Sequence, residues 1–221
     1  MEIDVIIASF AKNNDLKRIT QNCINSLHKS SDINTFNILI YEQQRGIVYD
    51  GAQTINYGFA FNYNKILNTG IRATHNQYIV LANNDLIFDK YWFEFLECGF
   101  KMGFQSLCSY CPIHSKAKGL ESGNFILEGY IVGRILNGWC ITIDRAILNK
   151  IGIIDESVDF WFSDNIFAQQ LQFNNIKHGL VCNSFVTHIE SSTIKQMNSS
   201  KQWQYTAGNR NRYVRSKRKY R

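Results

Sequence analysis

The strongest constraint in this chain is an alternation of two patterns. Short continuous apolar runs are separated by segments whose apolar residues recur at helical spacing. IDVIIAS (3–9), FNILIYE (36–42) and YIVLA (78–82) read as buried strands. Between the first two, Leu16, Ile19, Cys23, Ile24 and Leu27 form one helical face over 16–29, with Asn13, Asn14 and Asp15 available as caps. Residues 59–75 predict a second helix, weakened in its second half by Gly70, and 89–100 a third with an aromatic face. Residues 138–152 read as a strand running into a helix. Residues 155–179 are a loop and then a helix from about Asp164, and 180–192 are a last strand carrying His188. The stretch 103–137 holds five glycines and the only proline, which predicts a long loop or an added hairpin. Strands alternating with helices predict an α/β fold: a mostly parallel sheet with helices on both faces, in a single domain.

Composition narrows the class. With 45% hydrophobic and 14% aromatic residues, 221 residues can bury a core, and global disorder is excluded. No run of about 18 apolar residues predicts a membrane span. The N-terminus lacks a basic region before its apolar run and reads as a strand rather than a leader, so the expectation is a cytoplasmic protein. Its cysteines at 23, 98, 108, 111, 140 and 182 are then expected as reduced thiols, and the C-x-x-C at 108–111 as packing rather than metal chemistry.

Charge is unevenly placed. The net charge is +6, yet residues 201–221 hold eight basic groups and no acid, leaving 1–200 at −2. The expected organisation is a domain over 1–200 followed by a basic segment, 201–221. Two readings of that segment stand: a solvated or packed terminal helix over Tyr205–Tyr213, and contact with a polyanion through Arg215, Lys217, Arg218, Lys219 and Arg221. The polyanion is either DNA or an anionic membrane surface.

In sheets of this kind, ligands gather at the carboxyl ends of the strands. Ser9, Glu42, Asn83, Asn84, Asp85 and His188 all fall at or just past predicted strand ends. Asn83-Asn84-Asp85 is either ordinary turn chemistry or a rigidly aimed carboxylate suited to Mg²⁺ or Mn²⁺. Asp164 is either a helix N-cap or a general base, with Phe160, Trp161 and Phe162 partly desolvating it and offering flat faces to a sugar or base. His188 is either a structural histidine or a metal ligand beside Asp85.

The order of these elements resembles the GT-A glycosyltransferases of the family-2 type. The residues that carry the likeness are DVIIASF at the first strand, Asn68, Gly70, Ile71 and Ala73 before YIVLANND, then GWCITIDRAILNKIG, FSDNIFAQQL, THIESS and NRNRYVRSKRKY. YEQQ and FNYNKILNTG are further similar to a galactosyltransferase-like pattern of E-Q followed by F-N-R-x-K-x-x-N-x-G. The resemblance implies a GT-A, Rossmann-like sheet. It implies Mn²⁺ or Mg²⁺ held by Asp85, His188 and Asn83, and Asp164 as catalytic base. It implies Ser9, Glu42, Asn62, Lys65, Asn68 and Asn84 around the nucleotide-sugar, Lys65 acting as a point charge on the diphosphate. Trp139, Phe160 and Trp161 would flank the sugar and acceptor; the other reading of Trp139 is a core tryptophan. The chain departs from the pattern at Asn83 and Ser163, where the family has acids, at Tyr63, where it has arginine, and at Glu42, where it has aspartate.

The implied function is inverting transfer of a sugar from a nucleotide-diphosphate donor, UDP favoured, to a hydroxyl. The acceptor is either a surface or lipid-linked saccharide or a hydroxymethylated base in DNA. The short, Asn-, Ile- and Lys-rich chain suits a phage or small-genome enzyme, which would act in the host cytoplasm. The competing reading is a degenerate domain that binds nucleotide-sugar or nucleic acid without turnover, favoured by Asn83 and Ser163. A nucleotidyltransferase would want a glycine-rich basic loop after the first strand, and ASFAKNNDLKR has no glycine.

Overall fold

The computed structural model describes residues 1–189 and 199–220, the latter with side chains from residue 206 onward. Nine strands form one sheet in the order β3-β2-β1-β4-β8-β6-β9-β5, with β7 beside β9. The strands are β1 (Glu2–Ser9), β2 (Thr35–Glu42), β3 (Gln53–Asn56), β4 (Tyr78–Ala82), β5 (Leu86–Phe88), β6 (Ser106–Tyr110), β7 (Ile126–Glu128), β8 (Cys140–Asp144) and β9 (His178–His188). The helices are α1 (Asn14–Lys29), α2 (Tyr63–Ala73), α3 (Trp92–Lys101), α4 (His114–Ala117), α5 (Leu148–Ile151), α6 (Ser163–Phe173) and α7 (Ser199–Ser216).

β3, β2, β1 and β4 run parallel; β8 is antiparallel to both of its neighbours, and β6 and β9 are again parallel to each other. The β1 side chains alternate between two apolar layers. Ile6 and Ala8 pack with Ile66, Leu67 and Phe167 of α2 and α6, while Val5 and Ile7 pack with Ile24, Leu27, Trp92 and Phe93 of α1 and α3. Both faces are therefore covered, which is why the parallel strands read as unbroken apolar runs. The expected mostly parallel α/β sheet in one domain is what the chain forms.

Local chemistry explains the boundaries. The Asn13 side chain accepts from the Leu16 amide at 2.9 Å and caps α1; Asn62 does the same for α2 through the Lys65 amide at 2.9 Å. That cap starts the second helix at 63, shorter than the expected 59–75. Gly70 sits mid-helix because a Cβ there would lie 2.5 Å from the Ile6 side chain, so glycine sets how closely α2 lies on β1. At the amino ends of the strands, buried Asp4 takes Arg145 at 2.9 Å and amide donors from Asn37 and Asn76.

One expectation is corrected. Residues 103–137 are not simply a loop: β6 lies within the sheet between β8 and β9, followed by α4 and β7. In the basic end, α7 is followed by the 3₁₀ turn Lys217–Tyr220, and Ser216, Lys219 and Tyr220 meet Asp155 of the domain. Cys108 and Cys111 are buried free thiols, as packing requires, whereas Cys98 is exposed. No helix among the described residues is long and apolar enough to cross a membrane.

Candidate active site

The carboxyl ends of β1, β2 and β4 and the amino end of β8 meet on one edge of the sheet. Ser9 pairs with Glu42 and Ala82 with Cys140, and the Asn83 amide donates to the Trp139 carbonyl at 2.8 Å. The chain then turns into β5, whose Leu86 pairs with His188 at the end of β9. This register brings Asp85 and His188 together, with Nε2 3.2 Å from Oδ2.

The Asp85 carboxylate is 1% exposed. Its imidazole neighbour is at ion-pair distance but out of line for a hydrogen bond, and among the described residues neither carboxylate oxygen accepts one. A buried charge is costly unless it is paired or bound to a metal. His188 is held by Trp139, stacked on it at 5.6 Å and 20°, and by the His114 ring at 5.3 Å. Trp139 is thus neither a plain core tryptophan nor simply a sugar platform, because its ring orients His188.

Asp164 lies at the start of α6. It is not the N-cap: Phe162 occupies that position, in the left-handed region with φ 69°, and makes no side-chain cap. Gly138 allows the approach of Asp164, since a Cβ there would lie 2.7 Å from the Asp164 Cβ. Burial raises the Asp164 pKa, opposed by backbone N–H donors including that of Asn165 at 2.8 Å. A carboxylate raised in this way is a stronger base. The buried Tyr63 hydroxyl, whose pKa is raised by burial and then by Cys140, Asp85 and Asp164, feels both carboxylates. A small cavity beneath Asp164 is lined by Tyr63, Leu67, Gly138, Ile141 and Phe167.

At the other end of the edge, Ser9 and Glu42 join a buried polar network. Glu42 accepts from the Ala11 and Gln44 amides at 3.1 and 2.8 Å and from the Tyr49 hydroxyl at 2.8 Å. Asn84 donates to Thr20 at 2.8 Å and to Ser9 at 3.4 Å. Tyr49 and Thr20 were not legible as site residues. The one available signal was a threonine in the apolar stripe of α1.

Several expected site residues serve elsewhere. Asn68 is fully buried, donating to the Ile154 carbonyl and to Glu156, both at 2.8 Å, and accepting from the Ile154 amide at 3.0 Å. Asn62 caps α2 and donates to the Glu156 carbonyl at 3.1 Å. Both tie down the loop before Asp164, Asn68 from a fully buried position. Lys65 is exposed on α2. Phe160 packs edge-on against Tyr63 at 5.7 Å and against Trp161 at 5.5 Å.

The same loop is held from its other side by α7. Tyr213 stacks on Phe162 at 5.2 Å and 7°, Asn209 accepts from the Asp159 amide at 2.7 Å, and Arg212 pairs with Asp159. Burial acts to raise the Asp155 carboxyl, but donors from Ser157, Tyr220 and Ser216 outweigh it and hold it below the usual range. Lys219 is 3.2 Å from Asp155 and stays exposed. Arg215, Lys217 and Arg218 remain exposed, and Arg221 lies outside the described residues.

The sheet order and the helices on its two faces make a Rossmann-like α/β fold. Two crystal structures of S. aureus TarS are similar to the chain, both at 13% identity over 96% of it. The structure of TarS 1–349 matches with a TM-score of 0.62, the chain covering 72% of it; the other matches with 0.61 and 43% coverage. At that identity the likeness is one of fold. No protein-family model and no curated protein matches the chain.

Proposed function

We propose that the protein is a metal-dependent, inverting glycosyltransferase that takes its sugar from a nucleoside-diphosphate donor, a UDP-sugar by preference. The observation that carries the reading is the buried Asp85 carboxylate with no hydrogen-bond donor, facing His188, together with a second carboxylate, Asp164, whose pKa is raised by burial and which acts with Asp85 on the Tyr63 hydroxyl.

The residues fit a divalent cation. Among the described residues no cluster of three or more His, Cys, Asp or Glu exists, so the protein would supply Asp85 and His188. Mg²⁺ and Mn²⁺ accept few protein ligands when substrate phosphates fill the remaining positions. Such an ion, when bound, neutralises charge on a departing diphosphate. The rest is the work of the chain. Asp164 takes the proton of the acceptor hydroxyl as its oxygen attacks the anomeric carbon. Trp139 keeps His188 in plane. The buried Ser9 and Glu42 network would back the wall at which the nucleoside would end, with half-buried Asn84 at its edge.

The acceptor carries negative charge in this reading. Exposed Arg215 lies near the end of α7, and exposed Lys217 and Arg218 lie in the 3₁₀ turn after it. A lipid-linked or surface saccharide at an anionic membrane and a hydroxymethylated base in DNA both fit that chemistry. The competing reading, binding without turnover, draws on Asn83 and Ser163 in place of acids.

A thermal-shift panel of nucleotide-sugars with and without Mn²⁺ tests the proposal. A ligand that binds only the folded state raises the melting temperature. One donor should stabilise the protein, and more strongly with Mn²⁺. No stabilisation by any donor would overturn the reading.

A further inference from the structure

Tyr63 and Asn83, two of the departures from the family pattern, are 20 residues apart in sequence and touch: the Tyr63 hydroxyl donates to Asn83 Oδ1 at 3.2 Å. Both partners are pinned. The Tyr63 ring is 6% exposed and edge-on to Phe160, and its amide donates to the Asp159 carbonyl at 2.6 Å. The Asn83 amide is fixed to the Trp139 carbonyl at 2.8 Å. The neighbouring Asn84 side chain turns inward, onto Thr20 and Ser9. Asn83 is half-buried at the cleft, and with its side-chain oxygen taken by Tyr63 it has N–H groups left to offer.

We propose that Tyr63 and Asn83 act as one neutral unit. Tyr63 holds the Asn83 amide so that its nitrogen faces the cleft, and Asn83 donates hydrogen bonds to phosphate oxygens of the nucleoside diphosphate instead of serving as a third metal ligand. Asn83 is then a donor-binding residue, and Tyr63 is a positioning residue that acts through it. The inference rests on the glycosyltransferase reading and deepens it.

The logic is one of charge. A carboxylate at 83 would repel the diphosphate unless a cation bridged them, whereas an amide nitrogen attracts phosphate oxygen directly. An arginine at 63 would need a buried counter-charge, and a tyrosine does not. The pair therefore keeps a hydrogen bond while removing both charges.

The test uses the full chain and four variants: Asn83→Ala, Tyr63→Phe, the double variant, and Asp85→Ala as a reference for a lost ligand. The probe is whichever of UDP, GDP, dTDP and CDP most stabilises the wild type. Its affinity is measured by calorimetry, and Mn²⁺ affinity by electron paramagnetic resonance at saturating nucleotide. Asp85→Ala should weaken Mn²⁺ binding by at least about tenfold. Asn83→Ala and Tyr63→Phe should each weaken the nucleotide by at least about tenfold, the lower end of what a hydrogen bond to a charged group is worth. Both should leave Mn²⁺ affinity within about twofold. In the Asn83→Ala background, Tyr63→Phe should change nothing further, which a merely structural tyrosine would not reproduce. A Mn²⁺ loss in Asn83→Ala as large as in Asp85→Ala would overturn the inference alone, as would additive losses in the double variant. A wild type that binds neither Mn²⁺ nor any of the four nucleotides would overturn the glycosyltransferase reading, and this inference with it.

Discussion

Replacing Asp85 by asparagine is expected to stabilise the metal-free protein and to destabilise it relative to wild type once Mn²⁺ and nucleotide are present. The Asp85 carboxylate is 1% exposed, and neither oxygen accepts a hydrogen bond among the described residues. A buried polar group without a partner costs about 1–3 kcal/mol, and a charged one more. Removing the charge while keeping the shape should recover about 2 kcal/mol. For a domain of this size that corresponds to a rise of about 4–8 °C in melting temperature. Ligand linkage works in the other direction. A ligand held at about 1,000 times its dissociation constant adds about 4.1 kcal/mol to the folded state, and the variant should forfeit most of that. Calorimetric scans in chelator and in Mn²⁺ with nucleotide should therefore place the two proteins in opposite orders. A lower melting temperature for Asp85→Asn in chelator would show that the carboxylate is a satisfied structural acceptor, and the argument for a cation there would fail.

Other consequences can be checked on stability alone. Burial pushes the His178 pKa down to about 4 from 6.5, with Nδ1 paired to Ser106 at 2.8 Å. Below 6.5 the unfolded chain binds a proton that the folded chain refuses, so stability should fall as pH drops from about 6.5 to about 4, by about 3 kcal/mol in all. Denaturant titrations across that range should show a shallower fall for His178→Gln than for wild type. Gly70→Ala places a Cβ 2.5 Å from Ile6 and should cost about 2 kcal/mol, partly recovered by Ile6→Ala, as measured by urea unfolding. Asp155→Ala removes the acceptor for Ser216, Lys219 and Tyr220 and should expose the C-terminal segment to limited proteolysis, at a cost of about 2–4 kcal/mol.

What the sequence made legible follows from which forces act locally. β1, β2 and β4 are covered on both faces, so burial writes itself as unbroken apolar runs. The helix start at Asn13 is a side chain satisfying a nearby amide. β6 was invisible because SLCSY carries two serines, whose partners, His178 and Ser184, lie more than 70 residues away. The buried Asn68 looked like a ligand residue because nothing nearby in sequence reveals that its partners are Ile154 and Glu156. Asp85 and His188 were both marked at strand ends, and only the β5–β9 register brings them together. The basic end showed its charge in composition but not its partners. Lys219 and Arg212 pair with Asp155 and Asp159 while staying exposed, and Arg215 and Arg218 are exposed too.

The most direct test of the account is turnover. Nucleoside diphosphate released from the stabilising nucleotide-sugar should be measured with Mn²⁺, for wild type and for Asp164→Asn, with acceptor panels of saccharide primers and hydroxymethylated DNA. The account predicts release by the wild type, stimulated by the true acceptor. It predicts a loss of at least about a hundredfold in Asp164→Asn with donor affinity retained, the contribution expected of a general base. Wild-type release that survives unchanged in Asp164→Asn, or a donor that binds and is never consumed, would contradict it.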